Sequence, residues 1–220
     1  MSININDCEV RIQWATPDID KNIMYMARVS NPEEQDSEKV RLLYYCMEEG
    51  HVSPFEMASV CMEVNVPRDI GRQMIRHRSM SLQEFSQRYQ TVDKLGDWIE
   101  REFRLQDLEN RQASLNIAKD DQRHTVWGTY QEVVWEKAIQ AYNWCIENGG
   151  AKEVARVVLP EGLTMSRMYF NGTMRSWIHY LKQRLDTSTQ KEHRIIAEKI
   201  LHALKDVAPI TMDAFFHDNL

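Results

Sequence analysis

At 220 residues, with 43% hydrophobic and 27% charged residues, the chain has the mass for one full core and the balance of an ordinary globular protein, which excludes a disordered chain. No apolar run approaches membrane-spanning length, and residues 1–13 lack the basic and apolar regions of a secretory leader, so a cytoplasmic protein with no membrane partner is expected. The formal net charge of −6 argues against a nucleic-acid partner and requires any anionic ligand to meet a local cluster of cations.

In chain order, Cys8 to Trp14 alternates loosely and predicts an opening strand. Ser37 to Glu49 predicts a helix with Ser37 as its N-cap and Gly50 as its stop. Ser59 to Val66 reads as a second strand, and Pro67 suits the first turn of a short helix running through Gln73 and Arg76. The polar segment 105–121 is read as a surface helix, followed by helical spacing from Thr125 to Glu147 that ends at Gly149-Gly150. Ala151 to Val158 predicts a short helix, Leu163 to Phe170 a strand, Thr173 to Leu185 a helix and Ser188 to Val207 the last long one. Strands set among long helices, without regular alternation or a glycine fingerprint, predict a single α+β domain over residues 1–220, with a mixed or antiparallel sheet.

The run from Arg76 to Tyr89 concentrates potential cations, Arg76, His77, Arg78 and Arg88, against the single acid Glu84. Arginine forks grip phosphate, so a nucleotide is a natural ligand, although a solvated basic face explains the composition equally well. If residues 82–89 are extended, the period of two sets Glu84, Ser86 and Arg88 on one side. Gln73 and Arg76, three apart on the preceding helix, then face the same ligand. Met174, Trp177, Ile178 and Leu181 form an apolar stripe that reads as core. His124, His193, His202 and His217 read as structural, and Ser86 as a binding residue, because no Ser-His-Asp pattern accompanies it. Cys8, Cys46, Cys61 and Cys145 lack the short paired spacing of a zinc or redox site, so they read as reduced, mostly buried thiols and no metal is expected.

Arg76-His77-Arg78, seven further residues, then Ser86 and a trailing Arg88-Tyr89 resemble the signature of flavin-dependent thymidylate synthases. Residues 27–30 (ARVS), 51–56 (HVSPFE), 153–160 (EVARVVLP) and 172–177 (GTMRSW), with His179 and Arg184, are similar to other blocks of that family in the same order. The resemblance implies methylation of dUMP to dTMP with 5,10-methylenetetrahydrofolate and NADPH as co-substrates, FAD as cofactor and tetrahydrofolate as product. It implies FAD contacts from Ser53, Arg76, His77, Arg78, Glu84, Thr173, Met174, Arg175 and His179, with His51 by the flavin ring. It assigns dUMP to Gln73, Met74, Ile75, Arg76, Glu84, Phe85, Ser86, Gln87, Arg88, Arg156 and Arg184, the last being catalytic by favouring ionisation at ring nitrogen 3. Segment 105–121 aligns with none of these blocks.

At about 100° per residue, Arg175 and Arg184 fall on nearly opposite sides of one helix. Either that helix ends before Arg184, or different copies of the chain supply the two groups to shared sites. The homotetramer with interfacial active sites that the resemblance implies fits the second option. Two rival readings stand beside it: a phosphate-gripping nucleic-acid module, and a flavoprotein of the same fold acting on another substrate.

Overall fold

The computed structural model describes residues 2–95 and 97–217. Its strands are β1 (Val10–Ala15), β2 (Ser59–Pro67), β3 (Ser81–Glu84), β4 (Arg104–Gln106), β5 (Ser114–Asn116) and β6 (Met165–Thr173). Four of them form an antiparallel sheet in the order β1-β2-β6-β3, and β4 and β5 make a separate hairpin. In β2 the apolar residues recur every second position, so Val60, Met62, Val64 and Val66 are sealed on one face, while Cys61, Glu63 and Asn65 lie on the other. The partner strand repeats the pattern with Met168 and Phe170 inward and Tyr169 outward, where its hydroxyl donates to Glu63 at 2.7 Å.

Helices cover the inward face. The helices are α1 (Ile19–Ala27), α2 (Arg41–Glu48), α3 (Arg68–Met74), α4 (Gln122–Glu147), α5 (Lys152–Ala155), α6 (Met174–Arg184), α7 (Lys191–Val207) and α8 (Pro209–Phe216). β6 runs directly into α6 through Thr173, whose hydroxyl accepts from the Ser176 N–H as an N-cap. Met174, Trp177, Ile178 and Leu181 are buried as their spacing predicted, and the Trp177 indole donates to the Val60 carbonyl at 3.1 Å. α3 lies tight on β6 because residue 71 is glycine: a Cβ there would sit 2.7 Å from the Met168 sulfur. At the far end of the core the buried Asp20 carboxylate of α1 accepts from the backbone N–H groups of Ile210 and Thr211, satisfying the first turn of α8.

α4 is different. Of its 26 residues, Gln131, Ala138 and Tyr142 are buried, whereas Val126, Trp127, Tyr130, Val133, Val134 and Trp144 are exposed. Tyr142 joins Val92 and Ala155 in a small cluster separate from the main core.

Several local expectations change. The helix expected from Ser37 begins at Arg41, because the chain first makes a turn in which the Ser37 N–H donates to the Glu34 carbonyl; Gly50 does stop it, with φ of +66°. Pro67 closes β2, paired with Met165, before α3 begins at Arg68. α3 ends at Met74, so Arg76 and His77 stand in a tighter turn closed by bonds from their N–H groups to Gln73 and Met74. The extended stretch stops at Glu84, after which the Ser86 carbonyl accepts from both Tyr89 and Gln90, so Glu84, Ser86 and Arg88 do not form one straight row. The expected helix over 105–121 is the β4–β5 hairpin: the Asp107 carboxylate accepts from the backbone of Glu109 and Asn110 and holds a turn where a helix would need its own ladder. α1 and α8 have no counterpart in the expectations.

Candidate active site

Two consecutive structural devices place the central pair of the site. The turn after α3 carries His77, and the unbroken α6 carries Arg184 at its last residue. The Arg184 Nε–H donates to His77 Nε2 at 2.9 Å. That bond requires a ring nitrogen with a free lone pair. Burial, followed by the charges of Arg184 and His179, lowers the His77 pKa from 6.5 to about 4, so the imidazole is neutral at physiological pH. His77 sits between the rings of Tyr180, 4.9 Å between centroids, and His179, 6.3 Å. With its Nε committed, Arg184 keeps its two terminal nitrogens as a fork toward any ligand.

The other cations of the predicted site are of unequal freedom. Arg76 and Arg78 are exposed and Arg156 is half-buried; none makes an ion pair among the described residues. Glu84 is committed: its carboxylate accepts from the Ser166 hydroxyl at 3.0 Å and lies 3.7 Å from Arg68 and 3.6 Å from Arg72. Neither arginine was singled out in the sequence, although their i, i+4 spacing on α3 was a readable signal of a shared acidic partner. Burial lowers the pKa of Arg68, and its Nη1 is buried without a hydrogen-bond partner. Gln87 has the same property: it is 4% exposed, and its Nε2 has no partner. Arg88 is exposed and paired with Glu153, while Ser86 is exposed beside it. Met74 is sealed in the core and Ile75 packs partly against it. Phe85 is half-buried, and its N–H donates to the Arg167 carbonyl.

Thr173, Arg175 and Ser53 lie at the opposite end of α6, while His179 stays beside His77. Thr173 donates its hydroxyl to Glu56 Oε2 at 2.7 Å, and Arg175 pairs with Glu56 Oε1 at 2.9 Å. Ser53 opens the short turn Ser53–Met57 that carries Glu56, an acid the sequence reading passed over. Met174 is fully buried and donates its N–H to the Ala58 carbonyl, which leaves its side chain no surface for a ligand. His51 is exposed and stands edge-on to Tyr45. His179 is exposed, with its Nε2 2.9 Å from the Gln183 amide. Because α6 is regular through Arg184, the option of an early helix end is removed. The two ends are separated by about 13 Å of helix rise, and a single chain does not bring Arg175 and Arg184 together.

Behind Gln73, a cavity of about 430 Å³ is lined by Asp69, Arg101, Trp127, Tyr130, Gln190 and Glu192. The thiols stand apart from all of this. Cys8 and Cys46 are buried, Cys61 and Cys145 only partly, and burial pushes Cys8 up to about 12 and raises Cys46 and Cys61. Those three offer no thiolate at neutral pH. Among the described residues no group of three or more His, Cys, Asp or Glu side chains is arranged to hold a metal ion, and no helix is long and apolar enough to cross a membrane.

An antiparallel sheet under a helical cover, with uncommitted arginines beside a neutral histidine, defines an α+β enzyme; the chain belongs to the family described as thymidylate synthase complementing protein, whose model matches residues 11–210. The flavin-dependent thymidylate synthase of Synechocystis sp. is 44% identical over 175 residues, covering 80% of this chain and 79% of that one. A protein of Paramecium bursaria Chlorella virus 1, named as a probable flavin-dependent thymidylate synthase, is 43% identical over 78% of each. Among solved structures, a UMP/dUMP methylase of Streptomyces cacaoi bound with 5-Br UMP has a TM-score of 0.82 at 26% identity, over 96% of this chain and 94% of that one.

Proposed function

We propose that this chain methylates dUMP to dTMP, taking the carbon from 5,10-methylenetetrahydrofolate and its electrons from NADPH through bound FAD. Residues 1–220 act as one domain within a homotetramer that shares its active sites between subunits. The observation that carries the reading is the Arg184–His77 pair: a neutral imidazole fixes a guanidinium by its Nε and leaves its two terminal nitrogens for a ligand. Placed against the pyrimidine, that fork stabilises negative charge on the ring and so makes carbon 5 nucleophilic without a thiolate. The high pKa of Cys8, Cys46 and Cys61 fits a route that uses no thiolate.

The unpaired forks of Arg76, Arg78 and Arg156 and the orphaned donors of Arg68 and Gln87 suit phosphate and carbonyl oxygens, so this donor set fits both a dinucleotide cofactor and a nucleotide monophosphate. We assign Arg76, His77, Arg78 and His179 to FAD, with Ser53, Thr173, Arg175 and His51 of a neighbouring subunit completing its site. Gln73, Ser86, Gln87, Arg88, Arg156 and Arg184 go to dUMP, and Glu84 orients the arginines around it. When bound, the flavin supplies the hydride that completes the methyl group, and that hydrogen exchanges with water. Running dUMP, methylenetetrahydrofolate and NADPH in heavy water should therefore give deuterated dTMP and intact tetrahydrofolate by mass spectrometry. Dihydrofolate with unlabelled dTMP would overturn the reading.

A further inference from the structure

Gln73 ends a chain of hydrogen bonds in which every direction is fixed. The chain starts at Glu192, 3% exposed, which takes the Arg104 guanidinium at 2.8 Å. Burial alone would raise its pKa, but Arg104 and Arg101 hold it below the ordinary carboxylate value, so Glu192 only accepts. Gln190 Nε2 donates to it at 3.0 Å, which turns the Gln190 oxygen toward Gln73. Gln73 Nε2 donates to that oxygen at 2.7 Å, so the Gln73 oxygen faces His193 Nδ1 at 3.1 Å. An amide oxygen cannot donate; His193 therefore carries its proton on Nδ1, and its Nε2 accepts from the Tyr180 hydroxyl at 3.1 Å. His193 is fully buried, and burial with the charge of Arg184 lowers its pKa to about 3, which keeps it neutral. Reversing any one amide would set donor against donor or oxygen against oxygen.

We propose that Glu192, acting through Gln190, is a positioning residue that locks the Gln73 carboxamide in one orientation, so that the site reads the hydrogen-bond polarity of the pyrimidine and refuses cytosine nucleotides. This rests on the reading of Gln73 as a dUMP contact. Half-buried Gln73 keeps one amide hydrogen and one oxygen lone pair unused. Uracil presents a carbonyl acceptor beside a ring N–H donor, and cytosine presents an amino donor beside a ring acceptor. A free glutamine flips to suit either; a locked one suits only the first.

The test titrates the flavin-loaded protein with dUMP and with dCMP. Wild type should prefer dUMP. Gln190→Met removes the oxygen that holds Gln73 Nε2 and frees Gln73 to flip, because His193 can then move its proton to Nε2, from which the Tyr180 hydroxyl accepts as readily as it donates. The preference should narrow by about tenfold, partly through tighter dCMP binding, while flavin content and melting temperature hold. Gln190→Leu should narrow it too, and Tyr180→Phe, which leaves Gln190 and Glu192 in place, should keep the wild-type preference. Nitrogen-15 spectra of the resting wild type should show His193 protonated at Nδ1. Equal weakening of both nucleotides in Gln190→Met, a proton on Nε2, or a wild type indifferent between the two overturns the lock. A wild type that shows the Nδ1 proton but binds neither nucleotide overturns the dUMP reading and the proposal with it.

Discussion

α6 and α4 are both helices carrying tryptophan and branched aliphatic residues, and the molecule treats them in opposite ways. α6 sinks Met174, Trp177, Ile178 and Leu181 into the core and keeps its charged ends for the site. α4 is more than twice as long and leaves Val126, Trp127, Tyr130 and Val134 in solvent. An apolar helix face of that extent is stable in water when another surface covers it. The pair teaches that one chain supplies an interior for α6 and leaves an apolar face on α4 uncovered, the face that the proposed tetramer would cover.

That comparison can be broken or sharpened by measurement. Trp177→Ala should cost about 3–5 kcal/mol of stability in chemical denaturation, because a fully buried indole and its bond to Val60 are lost together. Trp127→Ser with Tyr130→Ser on α4 should preserve the circular dichroism spectrum and lower the assembly mass in sedimentation. If instead the α4 changes unfold the chain and Trp177→Ala does not, the assignment of interior and surface is wrong.

At the functional end of α6, Arg184→Ala should reduce turnover by about 10²–10³ while the flavin stays bound. Loss of flavin with turnover intact would move Arg184 from the pyrimidine to the cofactor.

The smallest effect is on pH. His77 and His193 have folded-state values of about 4 and about 3 against an ordinary 6.5, so below 6.5 the unfolded chain binds protons that the folded chain refuses. Their contribution is complete above 6.5 and is lost as pH falls toward about 4 and then about 3. Melting temperature should drop across that window, and less so in His193→Asn; a flat profile in wild type would show that the two rings are not held neutral.

Where burial repeats, the sequence was legible. Alternation in β2 and the stripe on α6 report directly which side meets the core, and Gly50 and Gly149 stop their helices with positive φ. The family signature picks out His77 and Arg78 and a separate block Arg184, and the fold joins His77 and Arg184 in one hydrogen bond. What the sequence hid is set by contacts between distant residues. Glu56 meets Arg175 across 119 residues and Glu192 meets Arg104 across 88, and no local pattern announces such partners. Segment 105–121 misled for another reason: its polar residues suit a solvated helix, yet Asp107 offers the backbone a competing bond that favours a turn.

The clamp of Asp20 on α8 has a consequence for the order in which the molecule is made. Its carboxylate waits for Ile210 and Thr211, some 190 residues later, and Tyr44 likewise waits for Asp213. β2, in the middle of the sheet, waits for β6. A ribosome releases those late segments last, so the amino-terminal half leaves the exit tunnel with its central strand edge open and its buried aspartate unmatched. The nascent chain is an exposed intermediate until its end arrives, and the carboxy-terminal helix is the bolt that closes it.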